Sequence, residues 1–362
     1  MTQERILVAM SGGVDSSVAA ALLREQGHEL VGVTLHLWDA QGESKVGRCC
    51  APEDREDARR TCDVLGMPHY VIDERESFRD TVVDPFVAAY RAGTTPSPCV
   101  ACNQHVKLGR LASLADAFGC ARIATGHYAR LDLDPTGTPQ LSRGADPGKD
   151  QSYFLYGVPP VILARMVFPL GAMTKSHARE EGRRLGVPNW DKKDSQELCF
   201  VPDGDIGGFV ARHPIGQESR ASAPQGRIVD DTGAALAEHE GVHRFTIGQR
   251  RGLGVLAPAA DGRPRYVLRI VPDTGDVLVG GEEALYSGVL EAHDAAWIDG
   301  PPREPFEAEV QIRHRHPAAR AIIEPTGRGF RARFAEPQRA IAPGQAAVVY
   351  VGPRCLGGGT IS

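Results

Sequence analysis

The chain has 362 residues, of which 42% are hydrophobic and 24% charged, with a formal net charge of -5. That length implies two or three domains, and the composition is that of a soluble globular protein. No run approaches about 18 uninterrupted apolar residues, which argues against a membrane span, and the net charge argues against a surface coated in basic residues.

The N-terminal "MTQERILVAM" enters a strand-like run with no signal-peptide pattern, so a cytoplasmic location is expected; the chain is expected to be a monomer. "RILVAM" (Arg5–Met10) leads through a glycine turn into the helical "VDSSVAAALLREQG", which stops at Gly27. "LVGVTLHLW" (Leu30–Trp38) reads as the next strand, "EDREDARRTCDVLG" as a helix and "HYVID" (His69–Asp73) as a third strand. Helices are expected around Thr81–Arg91 and Lys107–Phe118, followed by the strand "ARIATGH" (Ala121–His127). Near-continuous apolar strands alternating with helices predict an α/β fold, a doubly wound parallel sheet covered on both faces. Ligands of such sheets sit beyond the carboxyl ends of the strands.

After Tyr128 the texture changes. "LDLDPTGTPQLSRGADPGKD" reads as a hairpin and loop, and "KSHAREEGRRLG" as one more amphipathic helix. From about Gly204 onward, glycine and proline become frequent between short strand patterns such as "RYVLRIV", "DVLVGG", "EAEVQIR", "FRARF" and "QAAVVYV". The expected division is a catalytic domain over 1–203, a small central β-rich domain over 204–277 and a C-terminal β-barrel over 278–362. Residues 301–362 carry nine Arg against five Glu, a local excess of 9 - 5 = +4 that suits either a solvated face or a nucleic-acid surface.

The strongest local signal is "SGGVDSS", Ser11 to Ser17, between a strand and a helix. Gly12 and Gly13 let backbone N–H groups approach an anion and permit positive φ. Ser11, Ser16 and Ser17 add hydroxyls, and the positive end of the following helix points at the same place. Asp15 repels bare phosphate, so its expected partner is Mg²⁺ carried by that phosphate. No Gly-Lys-Ser/Thr follows, which separates this loop from the common ATPase loop.

Eight cysteines in a long chain without a secretory pattern do not read as a disulfide scaffold. Cys62 and Cys120 sit in apolar settings and read as buried small hydrophobes. Cys49, Cys50 and Cys355 receive no role. "PSPCVACNQHVK" places Cys99 and Cys102 two residues apart, which fits half a zinc site, a redox pair or a nucleophile with a neighbour. The zinc reading lacks a second Cys/His pair at suitable spacing. Cys102 is expected just before a helix beginning near Lys107, where dipole and lysine would favour a thiolate. Cys199, in "SQELCFV", follows the charged "DKKDSQE" and is expected on an exposed loop that moves a sulfur in and out of the site.

Taken together, "SGGVDSS", "CNQHVK", "TGHYAR", "KDQSYFL", "SQELCF" and "FTIGQRRGLG" resemble the tRNA-specific 2-thiouridylases, within the ATP pyrophosphatase (PP-loop) superfamily. With "QIRHRHP" and "PGQAAVVY" the resemblance covers essentially the whole chain. It implies that Ala9, Met10, Ser11, Gly12, Gly13, Val14, Asp15 and Ser16 cradle ATP, with Leu35 and Gly126 against adenosine. ATP would adenylate O2 of the wobble uridine of tRNA, with Mg²⁺ and no tightly bound metal. Cys199 would carry a persulfide sulfur from a donor protein, Cys102 would be the nucleophile, and a Cys102–Cys199 disulfide would be a transient or resting product. The resemblance places Ser97, Pro98 and Cys99 beside the target base, and His127, Lys149, Asp150, Gln151, Arg313, His314 and Gln345 against tRNA. Relatives often carry Asp three residues before the nucleophile, where this chain has Cys99. "FTIGQRRG" fits either RNA contact or a tight turn. The rival is another adenylating PP-loop enzyme, an amidotransferase-type synthetase or a thiolase of a different tRNA position.

Overall fold

A computed structural model describes residues 3–39, 52–194, 198–201, 204–214, 226–254 and 262–362. Cys49, Cys50 and the residues 195–197 before Cys199 lie outside them.

The N-terminal half forms a five-stranded parallel sheet from β1 (Arg5–Ala9), β2 (Glu29–His36), β3 (His69–Asp73), β4 (Arg122–Ala124) and a short fifth strand, Met166–Val167. The spatial order is β3, β2, β1, β4, then the fifth strand. The chain therefore leaves β1 to one side for β2 and β3, then returns to its other side for β4. Between β1 and β4 the connections diverge, and the carboxyl ends open a crevice there.

Alternation along the strands explains why both faces are apolar. Ile6, Val8 and Leu30 point to one face, where they pack on Ala20, Leu23, Ala58 and Cys62 of α1 (Val14–Glu25) and α2 (Pro52–Leu65). Leu7, Val31, Val33 and Ile123 point to the other and meet Leu108, Leu111, Leu114 and Ala115.

Two helices start earlier than their patterns indicated. One runs over 75–91, with a π-helical stretch at Arg79–Val83. The other runs over 98–117 and is π-helical over Cys102–Lys107. Its start is fixed by Ser97, whose carbonyl accepts from the N–H groups of Val100 (3.1 Å) and Ala101 (3.4 Å), and by Pro98 in the first turn, where a missing N–H costs nothing.

The predicted hairpin is present as β5 (Ala129–Leu133) and β6 (Pro139–Arg143). It attaches to the far end of the chain through the pairing of Ser142 with Arg354. The C-terminal strands Tyr286–Trp297, Gly329–Arg339, Ala319–Thr326, Phe306–Gln311, Ala346–Val351 and Arg354–Ile361 pair in that order, and the first also pairs with the last, closing a barrel. Between the two halves lies a four-stranded sheet made by Gly226–Val229, Ala235–His239, Tyr266–Val271 and Asp276–Gly280. In this region Thr246–Gln249 closes a turn with Gly248 at φ +83°, so "FTIGQRRG" does form a tight turn.

The barrel is seated on the parallel-sheet domain through a shared apolar cluster, in which Ala346, Val348 and Cys355 join Tyr153 and Tyr156, and through polar contacts. Tyr153 Oη donates to the Ala346 carbonyl at 2.9 Å, Ser152 and Tyr350 hydroxyls meet at 3.1 Å, and the Arg143 guanidinium lies 3.6 Å over the Tyr350 ring. No helix among the described residues is long and apolar enough to cross a membrane.

Candidate active site

A cavity of about 790 Å³ opens at the carboxyl ends of β1, β2 and β4. Its wall includes Ala9, Met10, Ser11, Gly13, Val14, Asp15, Ser16, Leu35 and Gly126 from the predicted nucleotide set. Ser97, Pro98, Cys99, His127, Lys149, Gln151, His314 and Gln345 from the predicted tRNA set lie on the same wall. Two distant parts of the chain thus meet the loop at one place.

The loop is held by its own side chains and by a clamp from the 189–192 segment. The Ser11 N–H donates to Ser16 Oγ (3.1 Å), and that hydroxyl donates to the Gly13 carbonyl (3.1 Å). The Gly12 carbonyl accepts from Asn189 Nδ2 at 2.9 Å and Lys192 Nζ at 3.1 Å. Lys192 also reaches Asp54 (2.5 Å) and Asp57 (2.6 Å). Burial alone would lower the Lys192 pKa, but these bonds outweigh it and hold the ammonium above its usual range.

The two glycines do different work. Gly12 has φ +74°, and a Cβ there would sit 1.9 Å from the Asp54 carbonyl oxygen. Gly13 is extended at φ -86°, and a Cβ there would meet only Ser11 Oγ at 3.4 Å. The protein therefore requires glycine at 12, whereas at 13 the open backbone faces the cavity. Positive φ, expected at both, occurs at Gly12 alone. Gly126 has an internal reason too: a Cβ would lie 2.7 Å from the backbone of Asp15 and Ser16, so the β4 turn packs directly on the start of α1.

Ser17 departs from expectation. It is buried, and its hydroxyl meets Thr61 Oγ1 at 3.3 Å, so it ties α1 to α2 rather than facing the cavity. Asp15 is also engaged: its Oδ1 accepts from Lys175 Nζ at 2.6 Å and Tyr128 Oη at 2.8 Å. Lys175 bridges onward to Asp194 at 2.9 Å, and Asp194 holds Lys149 at 2.7 Å and Arg179 at 2.9 Å. Burial would raise the Asp194 pKa, but Lys149 and Lys175 outweigh it and hold the carboxyl at about 2. Lys107, Lys149, Lys192, Lys193 and Arg315 line the cavity against Asp15, Asp54 and Asp194, leaving a cationic bias suited to a polyanion.

Asp15 and the Ser11 and Ser16 hydroxyls on the cavity wall are hard oxygen donors of the kind Mg²⁺ accepts when phosphates and water complete its shell. Among the described residues no three Cys, His, Asp or Glu side chains gather as a protein-only metal cage.

Cys102 and Cys199 lie in one apolar cluster with Leu37, Phe78, Phe86, Val106 and Phe200. Cys102 is 5% exposed and Cys199 half-buried, and neither is on the cavity wall, although Leu198, Val201 and Cys99 are. Two expectations are corrected here. The helix carrying Cys102 begins at Pro98, not near Lys107, so Cys102 sits in its second turn and the first-turn dipole acts on Cys99. Cys199 packs against the cluster that contains Phe200 rather than lying on an exposed loop, because Phe200 anchors the chain beside it. Cys62, Cys120 and Cys355 are buried, as a small hydrophobe should be, and burial raises all three thiols, Cys62 and Cys355 to about 12.

Among the residues expected to meet tRNA, His127 Nδ1 lies 2.7 Å from Thr125 Oγ1, and burial with Lys107 nearby lowers its pKa to about 3, so the ring is neutral. Asp150 and Arg313 are off the wall. The Asp150 carboxylate is spent on Arg143, Ser152 and the Gly144 N–H, ordering the loop that carries Lys149 and Gln151. Gln345 donates to the Thr95 and Pro96 carbonyls at 2.8 and 3.2 Å, so a barrel residue fixes the approach to Cys99. His314 packs on Phe154 with ring centroids 4.4 Å apart.

Sequence reasoning missed Arg315, Lys175 and Asn189. Arg315 lines the cavity with φ +64°, a left-handed backbone that a bulky residue rarely adopts and that clusters at functional sites. "RHRH" held that signal only as composition. Nothing local to Lys175 or Asn189 marks them, since their partners on the loop, Asp15 and Gly12, are more than 150 residues away.

Three family models match the chain: a tRNA methyl transferase HUP domain over 4–203, a tRNA methyl transferase PRC-barrel domain over 216–281 and an aminomethyltransferase beta-barrel domain over 287–361. A tRNA-specific 2-thiouridylase of Sorangium cellulosum is 51% identical over 99% of this chain and 92% of that protein. Its counterpart in Magnetococcus marinus is 46% identical over the full length of both chains. One from Acidithiobacillus ferrooxidans is 45% identical over 100% of this chain and 99% of its own.

Proposed function

Since the chain belongs to the tRNA-specific 2-thiouridylase family, we propose that it replaces O2 of the wobble uridine of tRNA by sulfur, using ATP to activate the oxygen. The observation that carries this reading is the single cavity that has an anion-cradling loop and the neighbours of two clustered thiols on one wall. The family models' descriptions name methyl transfer, but a methyl donor needs neither a phosphate cradle nor paired thiols.

The steps follow from what each group can do. N–H groups at Gly13 and the start of α1 hold the triphosphate, with the cationic wall around it. Magnesium bound to that phosphate, with Asp15 as its protein ligand, would neutralise charge building on the phosphates. Uridine O2 attacks the α-phosphate, the bond to the β-phosphate breaks and pyrophosphate leaves; O2 now carries AMP as a leaving group, which turns a poor electrophile into a good one. Ser97, Pro98 and Cys99 lie on the wall where the base would enter, and neutral His127 offers a ring nitrogen for hydrogen bonding. Cys199 holds the sulfur as a persulfide, and the terminal sulfur attacks C2 and expels AMP. Attack of Cys102 on the Cys199 Sγ then releases 2-thiouridine and leaves a Cys102–Cys199 disulfide. The apolar cluster around both thiols keeps water from the persulfide. A persulfide donor protein and the tRNA anticodon loop are the implied partners.

The test is mass spectrometry of the wobble nucleoside after incubation with tRNA, ATP, Mg²⁺ and a persulfide source. The expected product is 2-thiouridine with AMP and pyrophosphate. ATP turnover that depends on a nitrogen donor and adds no sulfur would assign the chain to the rival adenylating class.

A further inference from the structure

We infer that Arg315 is an RNA-binding residue, which clamps a backbone phosphate flanking the target uridine and so holds that base at the cavity mouth. This deepens the reading above and rests on it for the identity of the base.

Backbone strain marks the residue. Arg315 occupies the third position of a turn closed by the His316 N–H, which donates to the Arg313 carbonyl at 3.0 Å. Its φ is +64°, a conformation that glycine fills at no steric cost and that an L-side chain adopts at a penalty. Three non-glycine residues among the described ones have positive φ, Asp294, Arg315 and Ala340, and of these Arg315 alone lines the cavity. Arginine in a turn suited to glycine gains the fold nothing, so its side chain serves something outside the fold.

The turn is also braced. Gln311, 5% exposed, donates from Nε2 to the same Arg313 carbonyl at 3.2 Å and accepts from Arg143 Nη1 at 2.9 Å. Arg143 in turn holds the Asp150 carboxylate at 2.9 Å. One chain of bonds therefore fixes the Arg315 turn to the loop that carries Lys149 and Gln151. The Ser11–Ser16 loop is held separately, by Asn189 and Lys192. A cation on the first frame is placed for the RNA rather than for ATP.

Its charge is unspent. Lys149 and Lys192 on the same wall are paired with Asp194, Asp54 and Asp57. The exposed Arg315 side chain has no hydrogen bond or ion pair among the described residues. Its charged neighbourhood is His314, where burial, and after it the Arg315 charge, disfavours protonation of the ring. A guanidinium presents its N–H groups in a fork that matches two oxygens of a phosphodiester. A base that enters the cavity leaves its stack, and holding the phosphate beside it keeps the base out.

The experiment measures binding of the full chain to an unmodified tRNA by fluorescence anisotropy between about 50 and 200 mM KCl, with thermal unfolding and ATP titration alongside. Arg315→Gly should unfold at the wild-type temperature or above it and bind ATP as the wild type does. It should bind tRNA roughly tenfold more weakly, with a slope of log K against log[salt] shallower by about 0.7–0.9. Arg315→Gln, which keeps a side chain at the turn, should lose the same affinity and slope. A neutral methylphosphonate is then placed at either linkage flanking the wobble uridine. Wild-type binding should weaken at one of the two, and Arg315→Gln binding should weaken no further there. An unchanged slope in both variants, a loss of ATP affinity, or equal sensitivity of wild type and Arg315→Gln to both linkages overturns the proposal. An Arg315→Gly chain that unfolds at a lower temperature makes the arginine a part of the turn and overturns it too. A wild-type chain that shows the clamp but adds no sulfur to the tRNA sinks the thiolation reading alone, so the two failures differ.

Discussion

Alanine at Gly13 separates what the fold needs from what the ligand needs. The residue has φ -86°, within the range any L-residue adopts, and the new Cβ would touch nothing closer than Ser11 Oγ at 3.4 Å. The folded protein should accept the methyl, and the stiffer unfolded chain should even raise stability by about 0.4–1 kcal/mol. A triphosphate lying on the Gly13 N–H would instead be pushed outward. Losing one hydrogen bond to a charged group costs about 1.5–3 kcal/mol, roughly 10- to 150-fold in affinity. Gly12→Ala is the control. Its Cβ would sit 1.9 Å from the Asp54 carbonyl at φ +74°, so it should destabilise the fold by about 2–4 kcal/mol. Thermal unfolding and calorimetric ATP titration of both variants are the assay. A Gly13→Ala protein that binds ATP as tightly as the wild type would refute the placement of phosphate on this loop.

Cys102→Ser and Cys199→Ser should each abolish 2-thiouridine formation while ATP binding persists, read by nucleoside mass spectrometry beside an ATP titration. Lys192→Met removes the ammonium that serves Asp54, Asp57 and the Gly12 carbonyl. Leaving the 8%-exposed Asp54 side chain without it should cost about 2–4 kcal/mol in denaturant unfolding. Gln345→Ala frees the Thr95–Pro96 segment and should lower thiolation with little change in ATP affinity, measured in the same two assays. Asp194 is depressed to about 2 in the folded chain, against about 3.9 unfolded, so its stabilisation is complete above about pH 4 and lost as pH falls towards 2. Asp194→Asn should flatten stability across that window, and an unchanged acid-unfolding curve would count against the lysine network.

The parallel sheet and the strand-to-helix loop Ser11–Ser17 are legible in the sequence alone, because both are written in local order. Apolar strands alternate with amphipathic helices, and "SGGVDSS" lies at a strand-to-helix junction that any such sheet places on its carboxyl edge. The thiols were legible as chemistry but not as geometry. Their cluster depends on Phe78 and Phe86 of the 75–91 helix meeting Phe200, more than 100 residues later, and the early start of the 98–117 helix depends on a proline at its first turn. Other features exist only through tertiary contact. "RCLGGGTI" has little strand character, yet it forms the strand Arg354–Ile361 because it closes the barrel where only bare backbone fits: a Cβ at Gly357 would lie 2.2 Å from the Ala296 carbonyl. The 129–143 hairpin joins that barrel's sheet across more than 200 residues of sequence. Lys175 on Asp15, Asn189 on Gly12 and Gln345 on Thr95 follow the same rule. Each is an ordinary polar residue in its own segment, and each becomes part of the site because folding removes water from a distant partner and leaves that partner needing a hydrogen bond.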